Sequence, residues 1–258
     1  GTKVTDGIVI QDKEGNEFVW VPVDSVSTGT SKVADDIRLA RYTFDSYGVP
    51  KKEQEAGKNY STLKKIDTWF EEGRGASNHT NMKDPWGFIS MTQINGGYYI
   101  ARYEASHGEN GVLQSKYDVE PWGKLKQIDA STASREMYSS DYIESDLISS
   151  YSWDTAIVFI QKYSGNSSYS LKTSVNNKDI GRLNTGKSGD KVCNIYDMAS
   201  NCEELTTEYS SYCKGTTYYE STVRGGDYTG TQNSGKRESS SDIFLNDYTS
   251  FRPILYLK

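Results

Sequence analysis

Residues 194–206 read NIYDMASNCEELT, and the fold prediction starts from this segment. Four other segments accompany it along the chain: EFVWVPV at 17–23, GYYIARYEA at 97–105, YSWDTA at 151–156, and a divided segment with VRGGD at 223–227 and SFRP at 250–253. Each segment is short and carries little information alone. Their order and spacing over nearly the whole chain make the combination more specific, and the absence of an internal repeat and of a charge run favours one domain with long insertions over two.

Together these segments resemble the formylglycine-generating-enzyme family, also called sulfatase-modifying factors. Residues 194–206 are similar to the family signature N-x-Y-D-M-x-G-N-x-W-E-W, and the divided segment is similar to its R-G-G-S-W and G-F-R frame. The resemblance implies an α+β, C-type-lectin-like fold with two main helices, small antiparallel sheets and much irregular loop. It implies a single domain over residues 1–258, with 24–85 as an insertion or peripheral segment and 220–258 as a C-terminal ligand-binding or variable segment.

The chain departs from the family where the chemistry is expected. Ser200 replaces the signature glycine, and Glu203 and Leu205 replace its two tryptophans. Catalytic members carry a cysteine pair between the two parts of the frame, whereas residues 227–250 here contain no cysteine. Since thiol chemistry requires a thiolate, we expect no formylglycine generation, no catalytic residues and no cofactor.

Composition excludes further classes. The net charge is -6 and the basic residues form no stripe, so we expect no nucleic-acid partner. No apolar run approaches the roughly 18 residues of a membrane-spanning helix, so we expect no membrane insertion. Three cysteines, Cys193, Cys202 and Cys213, and two histidines, His79 and His107, form no disulfide-scaffold or zinc pattern. Whether the cysteines pair stays open at this point.

Local patterns predict several elements. Alternation and turn residues indicate a β-hairpin over 7–23 and a strand near 96–104. Apolar spacing indicates helices that include Leu63, Ile66 and Phe70, that cover 131–142, and that run over 152–163 with Ser152 as the N-cap. Polar composition indicates loops at 73–81 and 164–189. The tryptophans at 20, 86, 122 and 153 are interpreted as core or half-buried residues.

The lectin-like frame is also similar to the variable proteins of diversity-generating retroelements. In those proteins adenine-directed mutagenesis rewrites a C-terminal segment while the flanking frame stays constant. Residues 227–249 are rich in amino acids reachable from an Asn codon by changes at adenines, although Gln232, Lys236 and Glu238 are not. The alternative is an ordinary polar loop, because the same small polar residues are typical of loops.

Aromatic residues among small hydrogen-bonding residues are typical of a protein-binding surface. The candidate ligand-binding residues are Asp227, Tyr228, Thr229, Thr231, Asn233, Ser234, Arg237, Ser239, Ser240, Asp242, Phe244, Asn246, Asp247 and Tyr248.

The resemblance also suggests a structural calcium ion at Asn201 and Glu204, positions where family members can hold one. Calcium requires six to eight oxygen ligands, and a single carboxylate makes a weak site. The favoured alternative is that Glu204 braces a buried loop through charge-assisted hydrogen bonds. The pair Glu203 and Glu204 is not expected to act jointly as acid and base, because neighbours in a strand point to opposite faces.

Three hypotheses for function follow. The first is a non-enzymatic module on a phage tail or a bacterial surface that binds a protein or a glycan. The second is an enzyme of the family's wider circle, which includes iron-dependent oxidases; these require a histidine cluster, and two separate histidines do not supply one. The third is a structural surface module without a dedicated ligand. The oligomeric state is left open by the sequence.

Overall fold

The computed structural model describes residues 3–23, 37–55, 69–70, 86–108, 110–230, 232–242 and 245–258. Within them, three α-helices are present: α1 Trp86–Asn95, α2 Gln127–Met137 and α3 Ser150–Tyr163. The strands, in chain order from β1 to β16, are Val9–Gln11, Glu17–Pro22, Ala40–Phe44, Pro50–Glu55, Trp69–Phe70, Gly97–Ala101, Ser106–His107, Leu113–Gln114, Ile143–Leu147, Lys191–Val192, Ile195–Tyr196, Glu203–Lys214, Thr217–Arg224, Arg237–Ser240, Thr249–Phe251 and Pro253–Leu257. Short 3-10 turns lie at Val4–Asp6 and Tyr169–Leu171.

The first sheet joins the two ends of the described chain. Its five strands run in the order β1-β2-β6-β16-β9, and all neighbours are antiparallel. The hairpin predicted over 7–23 is present as β1 and β2, with Ile10 opposite Phe18. The last strand, β16, lies between β6 and β9, so strands from the beginning, middle and end of the chain share one sheet.

Helix α3 packs its apolar side chains into the main hydrophobic core beside this sheet. Trp153, Ile157 and Ile160 are each fully buried there. The helix begins two residues before the predicted start, because Ser149 is the N-cap: its Oγ accepts the Ser152 backbone N–H at 3.2 Å. Ser152 completes the capping box by accepting the Ser149 N–H at 2.8 Å.

The second sheet carries the candidate site. Its strands run β14-β13-β12-β15, and β5 pairs with β12 at the far part of that long strand. The β12–β13 and β13–β14 pairs are antiparallel, whereas β12 and β15 are parallel, with Glu204 opposite Ser250. The parallel pair places the frame segment 250–253 directly beside the signature segment 194–206.

The α+β class predicted from the sequence, with small antiparallel sheets and much irregular chain, is confirmed, with three helices in the described residues where two were expected. Helix α2 is displaced from the prediction: it begins at Gln127 and ends at Met137. It ends there because Tyr138 is extended, and its N–H donates to Ser145 Oγ at 2.8 Å, which ties the chain to β9.

The predicted helix that includes Phe70 and the predicted exposed loop at 164–189 need correction. Phe70 belongs to strand β5, so the predicted helix does not extend to it; Leu63, Ile66 and the loop at 73–81 lie outside the described residues. The loop at 164–189 is irregular as expected, but it is not wholly exposed. Tyr169 is buried in the main hydrophobic core, where its hydroxyl donates to Asp190 Oδ2 at 3.0 Å. Among the described helices, none is long and apolar enough to cross a bilayer.

Candidate functional site

A polar pocket opens on the second sheet, and we call it the acidic pocket. Its volume is about 320 Å³, within the range typical of small-ligand sites. The strands β12, β13 and β14 and the connections on either side of β14 supply most of its lining. The lining residues are Lys178, Glu203, Tyr219, Asp227, Thr229, Gln232, Glu238, Ser239, Ser240, Ser241, Asn246 and Tyr248.

A tight turn after β13 brings the first part of this lining into place. Gly225 has φ +86, a conformation that favours glycine, and a Cβ there would lie 2.7 Å from the Met198 carbonyl oxygen. At Gly226 a Cβ would lie 2.1 Å from the Ala199 carbonyl oxygen. The two glycines therefore let the chain pass directly over the signature segment and deliver Asp227 to the pocket.

Asp227 is held in a defined rotamer by its own loop. Its Oδ1 accepts hydrogen bonds from the Thr229 backbone N–H at 2.9 Å and from Thr229 Oγ1 at 2.5 Å. The Tyr228 N–H donates to the Asn201 carbonyl at 3.0 Å, which fixes the loop to the signature segment. Asp227 is only 3% exposed, yet it lines the pocket.

Glu203, the first residue of β12, forms the inner part of the same lining. It is buried, and its Oε1 accepts a hydrogen bond from Thr249 Oγ1 at 2.8 Å. Burial raises the pKa of Glu203 to about 8, and the nearby charges of Asp227 and Glu238 act in the same direction, while the Thr249 hydrogen bond opposes them. A buried carboxyl group beside other carboxylates gives the pocket its acidic character.

Glu204 points to the opposite face, as the strand alternation predicts. Its two oxygens accept from Arg252, at 2.8 Å from Nε and 2.5 Å from Nη2. Arg252 also donates to the carbonyls of Ala101 and Tyr196, each at 2.9 Å. This buried pair braces the frame segment against the signature segment and β6.

The suggested calcium ligands are therefore engaged with protein groups. Besides the Arg252 pairing of Glu204, the Asn201 side-chain oxygen accepts the Leu183 N–H at 2.8 Å, and its amide donates to Glu104 at 2.6 Å. Over the described residues, no group of three or more His, Cys, Asp and Glu side chains is arranged to hold a metal ion. The geometry of Asn201 and Glu204 fits the bracing role weighed as the alternative.

A second buried network fixes both ends of the segment 225–236. Arg224, the last residue of β13, pairs with Asp154 on α3, and Arg237, the first residue of β14, contacts Asp154 at 2.9 Å. Arg237 Nε also lies 2.6 Å from Glu208, which pairs in addition with Arg41. Although burial opposes ionisation, the surrounding arginines hold the pKa of Glu208 down at about 2.

The structure brings together about half of the candidate ligand-binding residues. Six of them line the acidic pocket: Asp227, Thr229, Ser239, Ser240, Asn246 and Tyr248. Tyr228 and Asp247 lie next to it, since the Tyr228 ring packs on Tyr248 at 6.4 Å between centroids and its hydroxyl lies 3.4 Å from Asp247 Oδ1. Thr231 and Phe244 are outside the described residues.

Four other candidates have structural contacts. Ser234 and Arg237 are buried. Ser234 Oγ donates to the Tyr169 carbonyl at 2.5 Å, and Arg237 belongs to the ion-pair network. Both residues therefore have a structural role and are not part of an exposed ligand-binding surface. Asp242 accepts from Ser221 Oγ at 2.6 Å, and Asn233 forms a β-bridge with Thr173.

Sequence reasoning missed the inner lining. Glu203, Tyr219, Lys178, Gln232, Glu238 and Ser241 line the pocket without having been assigned to it. The position of Glu203 could have been predicted from its neighbour. Because Glu204 pairs with Arg252, strand alternation places Glu203 on the opposite face, which the C-terminal segment covers.

Neither the cysteines nor the described histidine line the acidic pocket. Cys193, Cys202 and Cys213 are all free thiols. Cys202 is buried and Cys213 is exposed near the β12–β13 turn. His107 is exposed and packs against Trp122, with 5.3 Å between ring centroids. Neither a thiol nor an imidazole is present among the described residues that line the acidic pocket.

No protein-family model matches the chain, and no curated protein matches its sequence. The solved structures that are similar to this chain include two that match over nearly its whole length. PvdO from Pseudomonas aeruginosa shares 11% sequence identity at a TM-score of 0.49, over 97% of this chain and 98% of that protein. Variable protein 1 of Treponema denticola shares 11% identity at a TM-score of 0.46, over 96% of this chain and 98% of that protein.

Proposed function

We propose that this chain is a non-enzymatic ligand-binding module and that the acidic pocket is its binding site. One observation carries the proposal: an open pocket of about 320 Å³ is lined mainly by a polar C-terminal segment whose ends are fixed by buried ion pairs. A rigid frame that presents hydroxyl, amide, carboxyl and tyrosine groups is suited to recognition, because little conformational entropy is lost on binding.

The lining favours binding over catalysis. The described lining side chains carry neither a thiol nor an imidazole, and the family's catalytic cysteine pair has no counterpart between residues 227 and 250. Family-type thiol chemistry therefore lacks its nucleophile at this place. The carboxyl groups present are held by neighbours, as with Asp227 and Thr229, which suits recognition of a ligand's polar groups.

The finer proposal is that the segment 227–249 is the variable region of a diversity-generating retroelement protein, displayed on a phage tail or a bacterial surface toward a protein or glycan. The different environments of the flanking and the pocket residues support it. Arg224 and Arg252 form buried ion pairs, whereas three residues at the pocket are half-buried: Ser239, Ser240 and Asn246. Partly exposed positions on such a frame tolerate substitution at little cost in stability.

Two pocket residues that adenine changes cannot generate from an Asn codon fit as constant members. Gln232 donates to Glu238 at 2.7 Å across the pocket lining. Sequencing the gene with several thousand neighbouring bases tests this part of the proposal. An adenine-rich near-copy of the segment beside a reverse transcriptase supports it; an isolated gene without such a copy contradicts it and leaves a constant binding module.

Binding itself is tested with the labelled protein on a glycan array and on a panel of intact bacterial cells. We expect at least one class of target to be retained, and we expect Tyr248→Ala to reduce that binding about tenfold or more, since aromatic residues at interface centres dominate affinity. Tyr142→Ala is the matched control, because Tyr142 is 78% exposed and is not part of the pocket. Equal binding by both variants would locate recognition elsewhere. Metal analysis and oxidase assays on the same preparation test the enzymatic alternative.

A further inference from the structure

The acidic pocket contains two buried carboxyl groups that lack a cationic partner. Among the other buried acids in the described residues, Asp154, Glu204 and Glu208 each pair with an arginine and Asp190 pairs with Lys172, whereas Glu104 and Asp197 form no ion pair with a described residue. Glu203 and Asp227 are buried to a similar degree, but neither forms an ion pair with any described residue. Unlike Glu104 and Asp197, these two carboxyl groups line an open pocket, where a cationic ligand can pair with them.

One oxygen of Glu203 is free for such a ligand. Oε1 accepts from Thr249, whereas Oε2 has no hydrogen bond among the described residues, and Glu203 lines the pocket. The Asp227 carboxyl uses Oδ1 for both Thr229 contacts. Both acids therefore retain acceptor capacity on the side of a cavity large enough for a small organic group.

The remaining lining is compatible with a cation. Tyr219 and Tyr248 line the same cavity, and tyrosine faces attract cations when they are within reach. Glu238 adds a third carboxylate, although it is half-exposed and lies 3.5 Å from Lys236. The carboxyl groups are not gathered in the manner of a metal site, since no three acidic side chains in the described residues meet that geometry. A cation that forms directed hydrogen bonds fits better than a bare metal ion.

We infer that the ligand of this pocket presents a protonated primary amine to Glu203 and Asp227. The inference rests on the proposed binding function and adds the chemical class of the recognised group. An ammonium group has three donors and no acceptor, which matches two separate carboxylates better than one. The amine can belong to a small free diamine or to a lysine side chain on a protein, and the two sources are separated by the probes below.

The charges around Glu203 predict how amine binding depends on pH. Burial is the main cause that raises the pKa of Glu203, Asp227 and Glu238 add to it, and the hydrogen bond from Thr249 opposes them; Lys178 and Tyr248 complete the surrounding lining. With a pKa of about 8, Glu203 is largely protonated at pH 6 and largely ionised at pH 9. Because an alkyl ammonium group stays protonated over this range, amine affinity should rise between pH 6 and pH 9.

The test is a titration of the isotopically labelled full chain, followed by NMR at pH 6, 7.5 and 9. The probes are 1,5-diaminopentane, Nα-acetyl-lysine methylamide and the same lysine derivative acetylated at Nε. We expect an amine to shift the resonances of Glu203 and Asp227, with affinity rising at least threefold from pH 6 to pH 9. We expect the Nε-acetylated probe to bind at least tenfold more weakly. Preference for the diamine indicates a free amine, and preference for the lysine derivative indicates a protein partner.

Two variants and one control sharpen the outcome. Glu203→Gln preserves the size of the side chain and an acceptor for Thr249, and should weaken amine binding about tenfold and remove its pH dependence. Lys178→Ala should strengthen amine binding, because an exposed cation leaves the lining. Glu136→Gln, on the exposed side of α2, should change nothing.

The inference is overturned if the charged and acetylated probes bind equally, or if no probe shifts pocket resonances. In the first case the pocket still binds ligands and the proposed function stands. In the second case the proposed function stands or falls by the separate effect of Tyr248→Ala on array and cell binding.

Discussion

The ion-pair network that fixes the segment 225–236 makes a quantitative prediction for Glu208→Gln. Glu208 is fully buried between Arg41 and Arg237, and Ser150 Oγ donates to it at 2.5 Å. The substitution keeps the shape but leaves three buried arginines, with Arg224 as the third, facing the single carboxylate of Asp154. Breaking a buried pair by removing one partner is strongly destabilising, because the remaining charge stays buried.

The size follows from the pKa of Glu208. The value falls from 4.5 to about 2 in the folded chain, which at roughly 1.4 kcal/mol per pH unit corresponds to about 3 kcal/mol of stability at pH 7. The sign is that of a depressed acid pKa: the contribution is full above pH 4.5 and is lost as the pH falls toward 2. At pH 3 we expect about 1 kcal/mol to remain.

The assay is urea unfolding of the wild type and Glu208→Gln at pH 7 and pH 3, followed by tryptophan fluorescence, to which the buried Trp153 contributes. The exposed variant Glu136→Gln serves as control and should stay within about 0.5 kcal/mol of the wild type. A loss below about 1 kcal/mol at pH 7, or the same loss at both pH values, would refute the reasoning that this network fixes the site.

Three further predictions concern the pocket, the turn and the thiols. The pKa of Glu203 is raised from 4.5 to about 8, so the stability that its protonated form contributes is lost as the pH rises through 8. The free energy of unfolding of Glu203→Gln should therefore equal that of the wild type at pH 4 and exceed it by more than about 1 kcal/mol at pH 9. If urea unfolding gives the same difference at both pH values, the buried position of Glu203 is contradicted. Gly225→Ala should cost about 3 kcal/mol of stability because backbone strain and a steric clash combine. Gly230→Ala, at φ +76 with nothing within 4 Å of the added Cβ, should cost about 1 kcal/mol through strain alone. Thermal unfolding compares the two variants, and equal losses of stability would contradict the close approach of Gly225 to the Met198 carbonyl. A thiol reagent should modify exposed Cys213 rapidly and buried Cys202 only on unfolding, as peptide mass spectrometry after timed labelling would show; early modification of Cys202 would contradict its burial.

Much of the frame could be predicted because it is encoded locally. The segments at 17–23, 97–105 and 151–156 became β2, β6 and the first turns of α3, where alternation, a glycine pair and helical spacing are strong local signals. The displacement of α2 was not predictable in this way. Its end depends on the hydrogen bond from Tyr138 to Ser145, a contact with a later strand.

The candidate site was predicted in part for the same reason. The segment 227–249 stands out by composition, and six of its named residues line the pocket. Composition does not show which polar side chains point inward, so Ser234 and Arg237 were included although both are buried in contacts with Tyr169 and Glu208. Glu203 was overlooked because its environment is created by Thr249 and Asp227, which are distant in sequence.

The most direct test of the central claim is a map of where a retained target binds. The first target found on the array or on cells is titrated into the labelled chain, and the shifted resonances are assigned. The account predicts that the largest shifts fall on Glu203, Asp227 and Tyr248 and are abolished by Tyr248→Ala. Shifts concentrated instead on the exposed tyrosines of the β12–β13 hairpin, Tyr212 and Tyr218, with the pocket unchanged, would contradict it.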